Sequence, residues 1–377
     1  MVFQSLLPPE IFDEAIDHLW DDPKSLEACS LTCRAWVPSS RLHLFRTVRV
    51  RNTEDCTSLS LLLESSPVIA RCVRKLTICA EYAGFDADGR GMEDDAWVNE
   101  ASGLLKKLTR VNSLALSRVA WSSLHSETKL AFAELFKTVK YLFLFEVRFD
   151  ASGDVLDFLS AFPELNELYF HGVSWTHESP TPQLLAPRSQ GDEERMHLSY
   201  LFLDPRSSPT LVTEWLLNHP SEQRLRNIQL CWREIENSKA LGDLLQASGS
   251  ALERLTIEFP LGLSEESLSQ NHLTLAYNTG LRSLDFGGLD ASVEASRTFL
   301  TNRLFPWVGV MLAQIRSPLL REVTFELKVP DVPDLRLLDW LRIDQELARP
   351  LEAEVTKEIE ARLPGFRERG ILRISCL

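Results

Sequence analysis

Residues 139–170 read VKYLFLFEVRFDASGDVLDFLSAFPELNELYF. The stretch opens and closes on one pattern, three apolar residues spaced by two positions and then by one: Val139, Leu142 and Leu144, then Leu165, Leu168 and Phe170. Alternation over the end of each copy predicts a short strand with one buried face. Between the copies Val155, Leu156, Leu159 and Phe162 recur at helical spacing, so a helix is predicted between the strands.

Outward from this stretch the same pattern recurs. VRKLTI (Val73, Leu76, Ile78) and VNSLAL (Val111, Leu114, Leu116) precede it. LSYLFL (198–203), LRNIQL (225–230), LERLTI (252–257), LRSLDF (281–286) and LREVTF (320–325) follow, giving nine copies. Most neighbouring copies lie 26 to 29 residues apart. Strand plus helix at a fixed period predicts an α/β solenoid of short parallel strands and helices, a horseshoe or arc in which each unit buries its apolar face on the next. The final RGILRISCL alternates like a strand and is placed as a closing cap. Where the spacing lengthens, loop insertions are expected near 81–100, 176–197 and 287–316. The rival architecture is a doubly wound α/β enzyme. Its strands would be continuous Val/Ile runs followed by glycine-rich ligand turns, whereas these strands span three to five residues and no phosphate-type glycine loop follows them.

Over residues 70–377 the chain resembles the leucine-rich-repeat family, with one departure. The position where that family places Asn or Cys, to bond backbone groups in the bend, holds Val119, Val147 and Val173. An apolar side chain cannot make that ladder, so an uneven arc is expected.

The first fifty residues read differently. From Pro9 to Leu19, Ile11, Phe12, Ala15, Ile16 and Leu19 form an apolar stripe, with Glu10, Asp13, Glu14 and Asp17 on the other face. Asp22 before Pro23 offers an N-cap for a second helix through Leu26, Cys29 and Cys33, ended near Trp36 and Pro38. SSRLHLFR supplies a third helix and TVRV a first strand. Three helices in about forty residues are too small to bury Leu6, Leu7, Ile11, Phe12, Ile16, Leu19, Leu26, Leu31 and Trp36 among themselves.

LPPEIFDEAIDHLW, SLEACSLTCRAW and LFRTVRV together resemble an F-box, with anchors at Leu7, Pro8, Glu10, Ile11, Cys33, Trp36, Leu44 and Phe45. The remainder is similar to fungal F-box proteins with irregular leucine-rich repeats, notably in LLLESSPVIARCVRKLTI and FLSAFPELNELYFHGVSW. The resemblance implies two domains, an F-box at 1–50 and an irregular repeat array at 51–377. It implies a substrate-recognition adaptor of an SCF-type ubiquitin ligase, not an enzyme. Its partners would be a Skp-family linker protein, through it a cullin scaffold, and a target protein on the repeats. Leu7, Pro8, Ile11, Ile16, Leu19, Leu26, Leu31 and Trp36 would then meet the linker. The alternative is a repeat scaffold outside any ligase, in which the N-terminal helices merely cap the first repeat.

For the target, the residue between the last two apolar positions of each strand faces the open side of the sheet: Thr77, Ala115, Phe143, Tyr169, Phe202, Gln229, Thr256, Asp285 and Thr324. With their neighbours two positions away, Tyr141, Phe143, Phe145, Tyr169, His171, Tyr200 and Phe202 make an aromatic strip suited to protein binding. Alternatively the segment between Trp175 and His197 folds over and covers it.

Composition narrows the remaining classes. The 377 residues are 44% hydrophobic and 25% charged, with a net charge of -14. That acidity argues against nucleic acid or an anionic membrane as partner. Seven scattered cysteines without a Cys-x-x-Cys pair read as reduced, buried thiols. No basic region precedes an apolar run at the N-terminus, and FPWVGVMLAQI is too short to span a bilayer, so a cytoplasmic or nuclear protein is expected. No catalytic or phosphate-binding motif occurs, and no cofactor or metal is expected. DADGRGMEDDAW has Arg90 and Trp97 where a calcium loop needs ligands, and His171 with His177 lacks a third ligand.

Overall fold

The computed structural model describes residues 8–85, 91–178, 198–204, 209–218, 225–231, 238–259, 273–290, 294–328 and 344–376. The chain is an α/β protein divided into two units, residues 1–165 with 172–196 and residues 166–171 with 197–377.

The first unit begins with α1 (Pro9–Asp17), α2 (Pro23–Thr32) and α3 (Val37–Leu44). Asp22 caps α2 by accepting a hydrogen bond from the Ser25 backbone N–H at 3.2 Å. Ile16 and Leu26 are buried, and the rings of Phe12 and Trp36 lie 5.4 Å apart. The acidic face of α1 is not simply solvated. Asp13 accepts a hydrogen bond from the Ser39 hydroxyl, and Asp17 lies 2.7 Å from His43 Nε2, so two carboxylates fasten α1 to α3.

Strands β1 (Thr47–Val50) and β2 (Lys75–Cys79) flank α4 (Thr53–Ser65), which is capped by Asn52 and buries Cys56, Leu59 and Leu63 along one face. An antiparallel hairpin of β3 (Glu81–Phe85) and β4 (Gly91–Asp94) follows. After the short α5 (Ser102–Leu105) come β5 (Ser113–Ser117), α6 (Ser126–Leu135), β6 (Tyr141–Phe145), β7 (Arg148–Ala151) and α7 (Ser152–Ser160). β1, β2, β5 and β6 pair in parallel with the register Val48, Leu76, Leu114, Leu142, and two residues on Val50, Ile78, Leu116, Leu144. Side chains on both lines are buried or half-buried, which is why a strand of four or five residues suffices. Behind them Trp121 packs its ring against Phe132, Phe149 and Phe158 at 4.5 to 5.7 Å.

The second unit contains β8 (Glu167–His171); β9 (Ser174–His177) returns to the first unit and pairs with β7. β8 is followed by β10 (Tyr200–Leu203), α8 (Pro209–Asn218), β11 (Asn227–Cys231), α9 (Ser238–Ser248), β12 (Arg254–Glu258), β13 (Ser283–Asp290), β14 (Glu322–Lys328) and β15 (Leu372–Cys376). All pair in parallel, each with the next of this series. The register runs Leu168, Leu201, Ile228, Leu255, Leu284, Val323, Leu372, with Phe170, Leu203, Leu230, Ile257, Phe286, Phe325, Ile374 two residues on. Each of the nine sequence patterns therefore contains a strand.

At the bend Val119, Val147 and Val173 are buried, and main-chain groups make hydrogen bonds there that the valine side chains cannot. Arg148 N–H donates to Val119 O at 3.0 Å and Ser174 N–H to Val147 O at 3.1 Å. The residue before each valine, Arg118, Glu146 or Gly172, has φ of +54° to +63°, which turns the chain so that its amides can reach.

Three expectations need correction. The 287–316 segment, expected as loop, carries the end of β13, a helix at Glu294–Phe299 and another at Phe305–Ala313. Phe305, Trp307, Val308, Met311 and Leu312 bury one side of that last helix, and a π-helical turn at Leu300–Leu304 leads into it just ahead of Pro306. In 81–100 the hairpin and a short 3-10 helix (Ala96–Asn99) replace the expected loop. Most of 176–197 lies outside the described residues.

The third correction concerns the thiols. Cys29, Cys33, Cys56, Cys72 and Cys79 are free, but only Cys56 is buried, and Cys33 is exposed at the C-terminal end of α2. Among the described residues no helix is long and apolar enough to cross a membrane.

Candidate functional site

Two surfaces carry the residues singled out by the sequence. On the N-terminal helices Ile11 is 47% exposed, Leu31 86% and Pro8 exposed, whereas Leu19 and Trp36 are half-buried. Ile16 and Leu26, expected on the linker-facing surface, are only 2% and 1% exposed. The amphipathic stripe of α1 is thus divided, Ile16 turning into the helices' own packing and Ile11 away from it. Trp36 is engaged by Phe12 in the same way. Leu7 lies outside the described residues. The structure adds two apolar side chains that stripe-counting passed over, Trp20 at 65% and Leu42 at 41% exposure. Both sit where helices end, and periodicity carries no signal there.

The second surface is the half-exposed face of the sheets. Thr77, Ala115, Phe143, Tyr169, Phe202, Gln229, Thr256, Asp285 and Thr324 are all half-buried between fully buried neighbours. In the first unit Tyr141 and Phe143 are half-buried and Phe145 is 42% exposed, with Lys75 Nζ 5.5 Å from the centre of the Phe143 ring.

In the second unit Tyr169, His171, Tyr200 and Phe202 are brought together. Tyr169 stacks on Tyr200 with ring centres 4.8 Å apart, and Phe202 lies 6.2 Å from both Tyr169 and His171. Parallel register sets this up, because Tyr169 pairs with Phe202 and Glu167 with Tyr200 on adjacent strands.

Polar residues that the sequence left unassigned lock these rings. Tyr169 donates its hydroxyl proton to Glu167 at 3.1 Å, and Tyr200 donates to Gln229 Oε1 at 3.2 Å. Gln229 Nε2 in turn donates to Glu258 Oε1 at 2.7 Å. His171 Nδ1 lies 3.0 Å from Asp204, whose side chain is 2% exposed. Partial burial, with the negative charge of Glu167 behind it, pushes both tyrosine hydroxyls up, Tyr169 well above the usual phenol range. They remain neutral hydrogen-bond donors at physiological pH. Counting two residues either way from the central column would have found Glu167 and Glu258, since every second residue shares the face.

Chemically the described residues of this surface offer aromatic rings and carboxylates. Among the described residues no group of three or more His, Cys, Asp or Glu is placed to hold a metal ion, and His171 is engaged with Asp204. No protein-family model matches the chain, and no curated protein matches it.

Proposed function

We propose that the chain is an F-box adaptor with irregular leucine-rich repeats, delivering a target protein to an SCF-type ubiquitin ligase. The N-terminal helices would dock on a Skp-family linker and, through it, on a cullin scaffold. The repeats would carry the target. The observation that supports this reading best is the exposure of Ile11, Trp20, Leu31 and Leu42 on helices that bury Ile16 and Leu26 between them. Such apolar surface is retained where a partner covers it. The resemblance of this N-terminal segment to an F-box implies that the partner is a Skp-family linker.

A second reading, a repeat scaffold with a helical cap, draws on a different observation. Arg46 O accepts hydrogen bonds from the N–H groups of both Arg74 and Lys75, and β1 pairs along its whole length with β2. The helices thus run into the sheet without a linker.

Co-expression with a Skp-family protein separates the two. The adaptor reading expects co-purification, lost in Ile11→Asp and in Leu31→Asp while thermal stability stays unchanged. It fails if the wild-type chain captures no linker, or if both variants capture it fully.

A further inference from the structure

We propose that the half-exposed sheet face of the second unit binds a cationic segment of a partner protein, an arginine- or lysine-bearing stretch laid across the stacked tyrosines. The inference rests on the adaptor reading for its context and names the chemistry of the target such an adaptor would hold.

Aromatic geometry comes first. Tyr169, Tyr200 and Phe202 form a contiguous, half-exposed platform. Both tyrosine hydroxyls already donate to groups of the protein itself, so a partner would meet the rings rather than a free hydroxyl proton. Ring faces are the negative pole of the aromatic quadrupole and attract ammonium and guanidinium groups.

Charge points the same way. Glu167 and Glu258 border the platform, and neither is paired with a cation among the described residues; Tyr169 and Gln229 hold them in place. Beyond Glu258 the face has a gap at Gly287, which pairs with Glu258 across β12 and β13. A Cβ built on Gly287 would lie 3.4 Å from Glu258 Cγ and 3.6 Å from Glu326 Oε2. Buried Gly287 therefore has a carboxylate side chain on either side. Asp285, two residues before Gly287 on β13, adds a further negative charge. Of the cations at positions on this face, Arg373 is already bound to Glu322 at 3.0 Å, which leaves Arg254 and Lys328 against Glu167, Glu258, Asp285 and Glu326 among the described residues. Negative charge in surplus beside aromatic faces complements a cationic chain, and repels an acidic or phosphorylated one.

The test uses the purified full chain with hexa-arginine and, as its uncharged counterpart, hexa-citrulline, read by titration calorimetry at two salt concentrations. Hexa-arginine is expected to bind saturably and hexa-citrulline to bind at least about 10-fold more weakly. Glu258→Gln with Glu326→Gln should weaken hexa-arginine by about 10-fold or more, whereas Glu127→Gln with Glu134→Gln, an equal loss of charge on α6, should change it less than about 2-fold. Tyr200→Phe keeps the ring and should retain binding; Tyr200→Leu, with folding checked by circular dichroism, should lose about 2- to 5-fold. Equal weakening by both glutamate pairs would mean general attraction to an acidic chain and would overturn the proposal, as would absence of saturable binding. Capture of a Skp-family linker is scored separately on the same preparations. Peptide binding without linker capture defeats the adaptor reading alone, and linker capture without peptide binding defeats this inference alone.

Discussion

Leu31 and Ile16 make a matched pair of perturbations, because the chain buries one and leaves the other to a partner. Leu31 is 86% exposed, so most of its side chain stays available for burial in a complex. Burying a leucine fully is worth about 1.5 to 3 kcal/mol, and Leu31→Ala, which keeps Cβ, should cost about 1 to 2 kcal/mol of linker affinity, roughly 5- to 30-fold in Kd. In the free chain the same change touches little and should move stability by less than about 0.5 kcal/mol. Ile16, 2% exposed, behaves in the opposite sense. Ile16→Ala removes packed methyl groups and should cost about 2 to 5 kcal/mol of stability. Titration calorimetry against a purified Skp-family protein and thermal denaturation followed by circular dichroism read the two quantities independently. Wild-type affinity in Leu31→Ala would refute the claim that this leucine is kept exposed for the linker. Unchanged stability in Ile16→Ala would refute the division of α1 into an inward and an outward residue.

Two further outcomes follow from the bend and the tyrosines. Gly172 has φ of +63°, and an added Cβ would meet Glu146 Cγ at 3.1 Å. Gly172→Ala should therefore destabilise by about 1 to 2 kcal/mol in denaturant unfolding. Glu146→Gly, at the equivalent bend with φ of +54°, should cost less than Gly172→Ala does. An equal or larger loss would show that left-handed geometry is not what the bend demands. For Tyr169 and Tyr200, ionisation followed at 295 nm should run above the ordinary phenol range near pH 10. The unfolded chain releases these protons first, so their contribution to stability is complete below about pH 10 and declines as pH rises towards the folded values. Ordinary titration of every tyrosine would contradict the packing described for the platform.

How far the sequence could be read differs by kind of residue. Each of the nine repeat strands was legible because Leu76, Leu114, Leu142 and their counterparts repeat an alternation that a sheet with one buried face requires. The central face column was legible for the same reason. The bend was not, because its hydrogen bonds belong to main-chain groups, and Arg118 and Glu146 give no residue-type hint of a positive φ. Nor were the helices beyond Gly287, because the run FPWVGVMLAQI is apolar nearly all round and shows no helical stripe. On the N-terminal helices, stripe-counting put Ile11 and Ile16 on one face. Three-helix packing then separated them, since α3 approaches α1 through Asp13 and Asp17. The glutamates around the platform were legible by position, but an acidic chain offers many carboxylates and only the hydrogen bonds of Tyr169 and Gln229 single these two out.

The pairing of each strand with its successor in the series also sets how the chain is assembled in time. From β10 through β13, joining one strand to the next closes a loop of about thirty residues or fewer, rather than one that spans the domain. Loop-closure entropy is thus met in small instalments, each repaid at once by a new row of buried Leu, Ile or Phe. Ordering can start at any interior pair and advance both ways. A lesion in one row, such as a truncation at Leu255, should accordingly act on its neighbours first and fade with distance along the series, a gradient that hydrogen exchange would record strand by strand.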